Sequence, residues 1–186
     1  MFPPDADTHF LGLGVQYYTA ARSAVLAGLS PVCGNLYHHA IEMLLKARLS
    51  QTHSLERLSR HPFGHNLCAL WNAFKAEFPT AGLDQFDETV ATLDRIERIR
   101  YPDATIEEGA EIIIQWEPGP ASSTYAPEIT PPPRYQIVVT EIDWLVARIF
   151  EVCSRNPAFF TGSMNDYARE AIIRDNPACS GWFPPW

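Results

Sequence analysis

The stretch that decides the fold class is residues 36–47, which read Leu-Tyr-His-His-Ala-Ile-Glu-Met-Leu-Leu-Lys-Ala. Its apolar residues recur at helical spacing, and Ser30-Pro31 supply a cap followed by proline in the first turn. The sequence therefore predicts a helix from there to about residue 50. Its apolar face is predicted to be Leu36, Ala40, Met43, Leu44 and Ala47. Such a face must be buried against other elements, so partner helices are expected.

Further apolar stripes predict helices at about residues 8–26, 65–78, 83–100 and 140–153, with a shorter helix near 164–174. Thr8 is the predicted N-cap of the first of these helices. Pro79 and Pro102 are predicted to end the middle two, since proline disfavours a helical conformation in the residue before it. Four amphipathic helices joined by short loops favour an up-down bundle.

The pattern changes between about residues 110 and 139. Glu111–Trp116 and Tyr135–Val139 are strand-like, and the stretch between them is crowded with proline, glycine and serine. We expect these two runs to pair as a hairpin across a long loop. The fold class is thus mainly α: an up-down helical bundle with a small β-hairpin insertion before the last long helix, in a single domain of residues 1–186.

The tail, residues 176–186, is rich in proline and tryptophan. Two interpretations remain open for it. Clustered aromatic residues and prolines suit the groove of a protein partner, and they suit equally the edge of the chain's own core.

Composition limits the class of protein further. The hydrophobic content of 46% is typical of a globular chain, and a chain of 186 residues can bury a core without disulfides. Four widely spaced cysteines without a C-x-x-C pair favour a reduced, cytoplasmic protein. Neither a signal peptide nor a membrane span is predicted, so no membrane partner is expected. The net charge of −8 argues against a broad nucleic-acid-coating surface and leaves room for a small basic site.

The predicted second helix carries His38, His39, Glu42 and Lys46. Glu42 and Lys46 are four residues apart in the favourable order for a helical ion pair. One interpretation is a solvated face with an exposed ion pair, and spacing alone favours it. The other is a buried polar cluster that meets residues 64–66.

Three short motifs occur in order between residues 17 and 103. Residues 39–47, His-Ala-Ile-Glu-Met-Leu-Leu-Lys-Ala, resemble the h-A-I-E-x-h-L-K-A helix of HEPN-domain proteins. Residues 64–67, Gly-His-Asn-Leu, resemble the G-H-D-L that opens their next helix, with Asn66 where aspartate is common. Residues 100–103, Arg-Tyr-Pro-Asp, resemble the R-Y-P that closes a later helix. The resemblance implies an all-α bundle, homodimerisation, and roles in RNA cleavage, nucleotide-linked toxin–antitoxin pairs or phage defence.

Ribonuclease members of that family share an Arg-x4–6-His motif, and Arg60 and His65 satisfy this spacing. The resemblance implies His65 as general base on a ribose 2′-hydroxyl and Arg60 as the group that stabilises charge on the phosphate, without a metal. Two copies would face each other across a dimer axis. In the alternative interpretation His65 is a structural residue tied to Glu42 at a helix N-terminus, and Arg60 is a surface residue.

The candidate site residues form two groups. The candidate catalytic residues are Arg60 and His65. The candidate ligand-binding or polar cluster comprises His39, Glu42, Lys46, Asn66, Arg100 and Tyr101. Arg100 and Tyr101 are interpreted either as contacts for a phosphate or as a favourable charge at a helix C-terminus.

No metal site and no cofactor are predicted. His61 and His65 have a metal-like spacing, but Pro62 and Gly64 prevent the helix that would align the two rings. His38 and Glu42 alone are too few ligands.

Three functions remain open. The leading one is a homodimeric HEPN-like domain with a nucleotide- or RNA-linked role in a toxin–antitoxin or defence setting. The second is a metal-independent endoribonuclease using Arg60 and His65. The third is a non-enzymatic interaction scaffold that meets a protein partner through its tail.

Overall fold

The computed structural model describes residues 5–120 and 130–183, which form a mainly helical chain with a two-stranded sheet. The first helices are α1 (Ala6–Leu26), α2 (Val32–Leu49), α3 (Leu55–Ser59), α4 (Leu67–Glu77), α5 (Asp87–Ile96) and α6 (Pro102–Glu108). They are followed by β1 (Glu111–Gln115), β2 (Arg134–Val138), α7 (Val139–Val152), α8 (Ala158–Thr161) and α9 (Asp166–Ile173). Two 3₁₀ turns, Leu83–Phe86 and Glu97–Ile99, flank α5. The predicted mainly α bundle class is confirmed.

The second helix lies at the centre of the bundle. Helices α1, α4, α5 and α7 all pack against α2. Tyr37, Ile41 and Leu45 are fully buried, whereas Leu36 and Met43, which belong to the predicted apolar face, are only half-buried. A helix with neighbours on several sides has no single apolar stripe, and this explains the error in the predicted face.

Helices α1 and α2 approach each other closely at Gly14. A Cβ atom added there would lie 2.7 Å from Leu44 Cδ2 and 3.3 Å from the Ala40 carbonyl oxygen. The absence of a side chain at Gly14 therefore sets the distance between the two longest helices of the bundle.

The sheet differs from the predicted hairpin because its two strands run parallel. Glu111 pairs with Arg134 and Gln115 with Val138, so both strands point the same way. A hairpin needs a tight turn, whereas the long connection between these strands lets the chain return to the start of β1. Strand β2 then continues directly into α7, whose packing on α2 sets its direction.

Several helix ends differ from the prediction. Asp5, not the predicted Thr8, is the N-cap of α1, and Ser54 caps the short helix α3, which the sequence pattern does not predict. The predicted helix at residues 83–100 is α5 with a 3₁₀ turn at each end. Pro102 ends that segment as predicted but also opens α6, where its missing N–H costs nothing.

The described part of the tail covers the edge of the chain's own core. Only 3% of Trp182 is exposed, and its ring lies 5.7 Å from that of Tyr18 and 5.5 Å from that of Phe150. The Thr161 hydroxyl donates to the Trp182 carbonyl oxygen. Trp182 is therefore not available to a partner, and residues 184–186 lie outside the described residues.

A buried ion pair joins α1 to α7. Arg22 Nη1 lies 2.8 Å from Asp143 Oδ2, and the Tyr18 hydroxyl donates to Asp143 Oδ1 at 2.6 Å. Arg22 Nε also donates to the carbonyl oxygen of Ala171 on α9. The pair thus ties three helices together.

None of the described helices combines the length and the apolar character needed to cross a lipid bilayer.

Candidate functional site

The centre of the candidate site is the carboxylate of Glu42, which is 1% exposed in the middle of α2. Lys46 Nζ lies 2.6 Å from its Oε1. His39 Nδ1 and His65 Nδ1 lie 3.3 Å and 3.1 Å from its Oε2. The solvated-face interpretation is therefore wrong, and the structure has the buried polar cluster that meets residues 64–66.

The cluster keeps Glu42 ionised. Burial raises the pKa of this carboxyl, but hydrogen bonds from His39, Lys46 and His65 outweigh burial and lower the pKa from 4.5 to about 2. An ionised carboxylate only accepts hydrogen bonds. Each nitrogen that is hydrogen-bonded to it must therefore carry a hydrogen.

This rule defines which nitrogen of the His65 ring carries the hydrogen. Its Nδ1 carries the hydrogen that Glu42 accepts, so in the neutral ring the lone pair is on Nε2. The side chain is 62% exposed, in the turn before α4. A buried carboxylate that orients an exposed imidazole is the arrangement used by general-base histidines.

Two side chains fix the turn that carries His65. Asn66 is the N-cap of α4, and its Oδ1 accepts from the Ala69 amide at 2.8 Å. Asp94 on α5 accepts from the Leu67 amide at 2.6 Å and from the Cys68 amide at 3.3 Å. Asn66 therefore still caps α4, and Asp94 supplies the negative charge near this helix N-terminus.

His38 belongs to the cluster although the candidate residues did not include it. It is fully buried, its Nδ1 lies 3.0 Å from the Leu93 carbonyl oxygen, and its Nε2 has no hydrogen-bond partner. That Nε2 lies 3.7 Å from Glu42 Oε2. The signal in the sequence was its position one helical turn before Glu42.

Arg60 points to a different partner from that of His65. Its Nη1 lies 2.9 Å from Glu56 Oε1, and 73% of the Arg60 side chain is exposed. The structure therefore does not bring the two candidate catalytic side chains together on Glu42, although they share one loop.

Arg100 and Tyr101 lie just beyond α5. Arg100 Nη1 is 2.6 Å from Glu97 Oε1, and its guanidinium lies 4.8 Å from the centre of the Tyr101 ring. These contacts fit the interpretation of a local charge at the end of a helix.

Three donors of the kind that bind metals lie together on α2. Within the described ranges, one ligand atom from each of His38, His39 and Glu42 lies within 4.8 Å of the other two. In the sequence His38 and Glu42 alone are too few ligands, and the structure adds His39 to that pair.

A cleft of about 430 Å³ lies elsewhere, between α5, β2 and α7. Its lining includes Arg95, Arg134 and Glu141, but not Glu42 or His65. We place the candidate site at Glu42 because three groups with complementary chemistry meet there. They are the ionised carboxylate, the ring of His65 that it orients and the unpartnered Nε2 of His38.

Comparisons of this chain with family models, with curated proteins and with solved structures found no match.

Proposed function

We propose that this chain is a HEPN-like helical-bundle protein that works as a homodimer and contacts RNA or a nucleotide at the cluster around Glu42, in a toxin–antitoxin or defence setting. The observation that carries the proposal is the 3.1 Å contact between Glu42 Oε2 and His65 Nδ1. It joins the first two HEPN-like motifs at one site and leaves Nε2 of an exposed ring to accept from a ribose hydroxyl.

The charge of the chain restricts what the site takes. A net charge of −8 disfavours long stretches of duplex, so the expected ligand is a short single strand or a nucleotide. Arg60 lies in the loop that carries His65, and its exposed ion pair with Glu56 is weak. A phosphate group can therefore replace Glu56 as its partner.

A direct binding experiment tests the proposal. Fluorescence anisotropy would follow a labelled single-stranded RNA and a labelled ATP in buffer that contains EDTA. His65→Ala is expected to weaken binding of the preferred ligand by about tenfold, since one charged or oriented hydrogen bond contributes about 1.5 kcal/mol. His61→Ala removes an exposed imidazole from the same loop and serves as the matched control. The proposal fails if neither ligand binds, or if both variants weaken binding equally.

The second candidate function is a metal-independent endoribonuclease, and the same carboxylate–histidine contact favours it. His65 Nε2 would take the proton of a ribose 2′-hydroxyl, whose oxygen attacks the adjacent phosphorus. The 5′-oxygen leaves with a proton from water, which gives a 2′,3′-cyclic phosphate. Glu42 stabilises the imidazolium that forms, and Arg60 stabilises the charge on the phosphate.

Cleavage of total RNA in the presence of EDTA separates the two functions. If the chain is an enzyme, His65→Ala is expected to abolish cleavage, and Glu42→Gln to slow it by about 100-fold or more. His61→Ala is expected to keep the wild-type rate. A wild-type chain that binds RNA but leaves it intact removes the ribonuclease and keeps the binding function.

Homodimerisation rests on the family resemblance and has its own test. Light scattering coupled to size-exclusion chromatography measures the mass of the particle in solution. Twice the chain mass of 20.9 kDa is expected, and the monomer mass at micromolar concentration would contradict the dimer.

A further inference from the structure

In the buried ring of His38, the nitrogen that carries the lone pair faces the Glu42 carboxylate, which can also only accept hydrogen bonds. The Leu93 carbonyl oxygen can only accept, so His38 Nδ1 donates to it and carries the hydrogen of the neutral ring. The lone pair is then on Nε2, which lies 3.7 Å from the ionised Glu42 Oε2 and has no hydrogen-bond partner. Two buried acceptors that face each other are unfavourable unless a positive group lies between them.

The spacing of the donors fits a metal ion. Zinc binds histidine nitrogen and carboxylate oxygen at about 2.0–2.2 Å, so neighbouring ligand atoms of a tetrahedral site are about 3.3–3.5 Å apart. His39 Nδ1 and His38 Nε2 lie 3.3 Å and 3.7 Å from Glu42 Oε2. All three atoms lie within 4.8 Å of one another, so small side-chain rotations bring them to bonding distance.

The surroundings of these donors also match those of metal ligands. A metal-bound histidine usually donates its second N–H to a carbonyl or carboxylate, as His38 does to Leu93. Lys46 hydrogen-bonds Glu42 Oε1 at 2.6 Å, which orients the carboxylate with Oε2 towards the histidines. The His38 side chain is fully buried, whereas the His39 side chain is 23% exposed. An ion can therefore reach the site from solvent past His39.

We propose that His38 Nε2, His39 Nδ1 and Glu42 Oε2 bind one Zn²⁺ ion. On binding, the neutral ring of His39 changes tautomer, so that its hydrogen is on Nε2 and the lone pair of Nδ1 faces the ion. The fourth ligand is either water or His65, whose Nδ1 lies 3.1 Å from the same oxygen and becomes a ligand if its hydrogen moves to Nε2. Zinc fits this donor set better than Mg²⁺ or Ca²⁺, which prefer oxygen ligands in greater number. The inference does not rest on the proposed function, because every RNA assay above contains EDTA.

Calorimetric titration of ZnCl₂ into the full chain, freed of any affinity tag and dialysed against EDTA and then buffer, tests the site. We expect one zinc ion per chain. His39→Ala and Glu42→Gln are each expected to weaken binding by at least tenfold. His61→Ala, which removes an exposed histidine outside the site, is expected to leave binding unchanged. The proposal is overturned if zinc does not bind, or if His39→Ala and Glu42→Gln bind it as the wild type does.

A second measurement follows the protonation and metal binding of His38 in the wild-type chain, because replacement of a fully buried ring risks misfolding. Long-range ¹H–¹⁵N NMR spectra report which ring nitrogens carry a proton or a metal. On addition of zinc, the Nε2 resonance of His38 is expected to move to a metal-bound position. A ring that stays protonated at both nitrogens and ignores zinc shows that a proton occupies the gap, and this overturns the proposal.

Discussion

Replacement of Glu42 by glutamine tests the electrostatics of the whole cluster. Glutamine has nearly the same shape, so the change removes a charge and leaves the packing of α2 intact. It also presents an N–H₂ group to nitrogens that now donate to the carboxylate. Lys46, which is almost fully buried, would lose its carboxylate partner.

The size of the effect follows from the pKa of Glu42. Its value in the fold is about 2, against 4.5 for the unperturbed carboxyl. At about 1.4 kcal/mol for each pKa step, the difference of about 2.5 corresponds to about 3 kcal/mol. This agrees with the cost of breaking a buried ion pair by removing one partner, about 3–5 kcal/mol. For a chain of this length, the melting temperature is expected to fall by about 6–12 °C.

The sign of the pH dependence is also defined. Because the pKa of Glu42 is lower in the folded than in the unfolded chain, its contribution is complete above pH 4.5 and is lost as the pH falls towards 2. The stability difference between wild type and Glu42→Gln is therefore expected to shrink from about 3 kcal/mol at neutral pH to about 2 kcal/mol near pH 3.5.

Urea unfolding followed by circular dichroism, in EDTA and at several pH values, measures this difference. Glu56→Gln is the matched control, since Glu56 also pairs with a cation four residues away but is 70% exposed. That control is expected to change stability by no more than about 0.5 kcal/mol. A Glu42→Gln chain as stable as the wild type at neutral pH, or a difference that grows on acidification, would refute the reasoning.

Three further substitutions test the packing of the bundle. Gly14→Ala is expected to lower the unfolding free energy in urea by about 1–3 kcal/mol, because its Cβ would lie 2.7 Å from Leu44 Cδ2 on the facing helix. Its control is Gly12→Ala, whose Cβ meets open space and is expected to stabilise α1 by up to about 1 kcal/mol. Tyr18→Phe removes a buried hydroxyl that donates to a carboxylate and is expected to lower the unfolding free energy by about 1–3 kcal/mol. Trp182→Ala is expected to cost about 3–5 kcal/mol and to expose the tail to limited proteolysis, with the exposed Phe159→Ala as control.

The sequence was sufficient to predict where most helices lie, because periodicity reports which residues alternate between core and solvent. It was not sufficient to predict which face of α2 is buried. That helix packs against α1, α4, α5 and α7, so polar residues such as Glu42 and Lys46 are buried along with the apolar ones. A prediction that gives α2 one solvent-facing side therefore places Glu42 and Lys46 on the surface.

Long-range pairings account for the remaining differences. The residues of β2 were predicted to within one position, but the parallel direction depends on how β2 leads into α7. Arg22 and Asp143 are 121 residues apart, and neither helix alone indicates the partner. The available signal was a charged residue within an apolar stripe on each helix, since such a residue is rarely buried without a partner.

Glu42 is an unusual residue for the centre of a helical bundle, and packing alone does not explain the groups around it. A buried ion pair can often be replaced by apolar residues of similar volume without loss of stability. Glu42 and Lys46 alone would fit a structural pair of that kind. The histidines do not fit it, because a structural pair needs neither an exposed ring oriented by Oε2 nor a buried nitrogen with no partner. The proposed function explains the first feature if the carboxylate orients His65, and the proposed zinc site explains the second if the carboxylate binds a cation with His38 and His39.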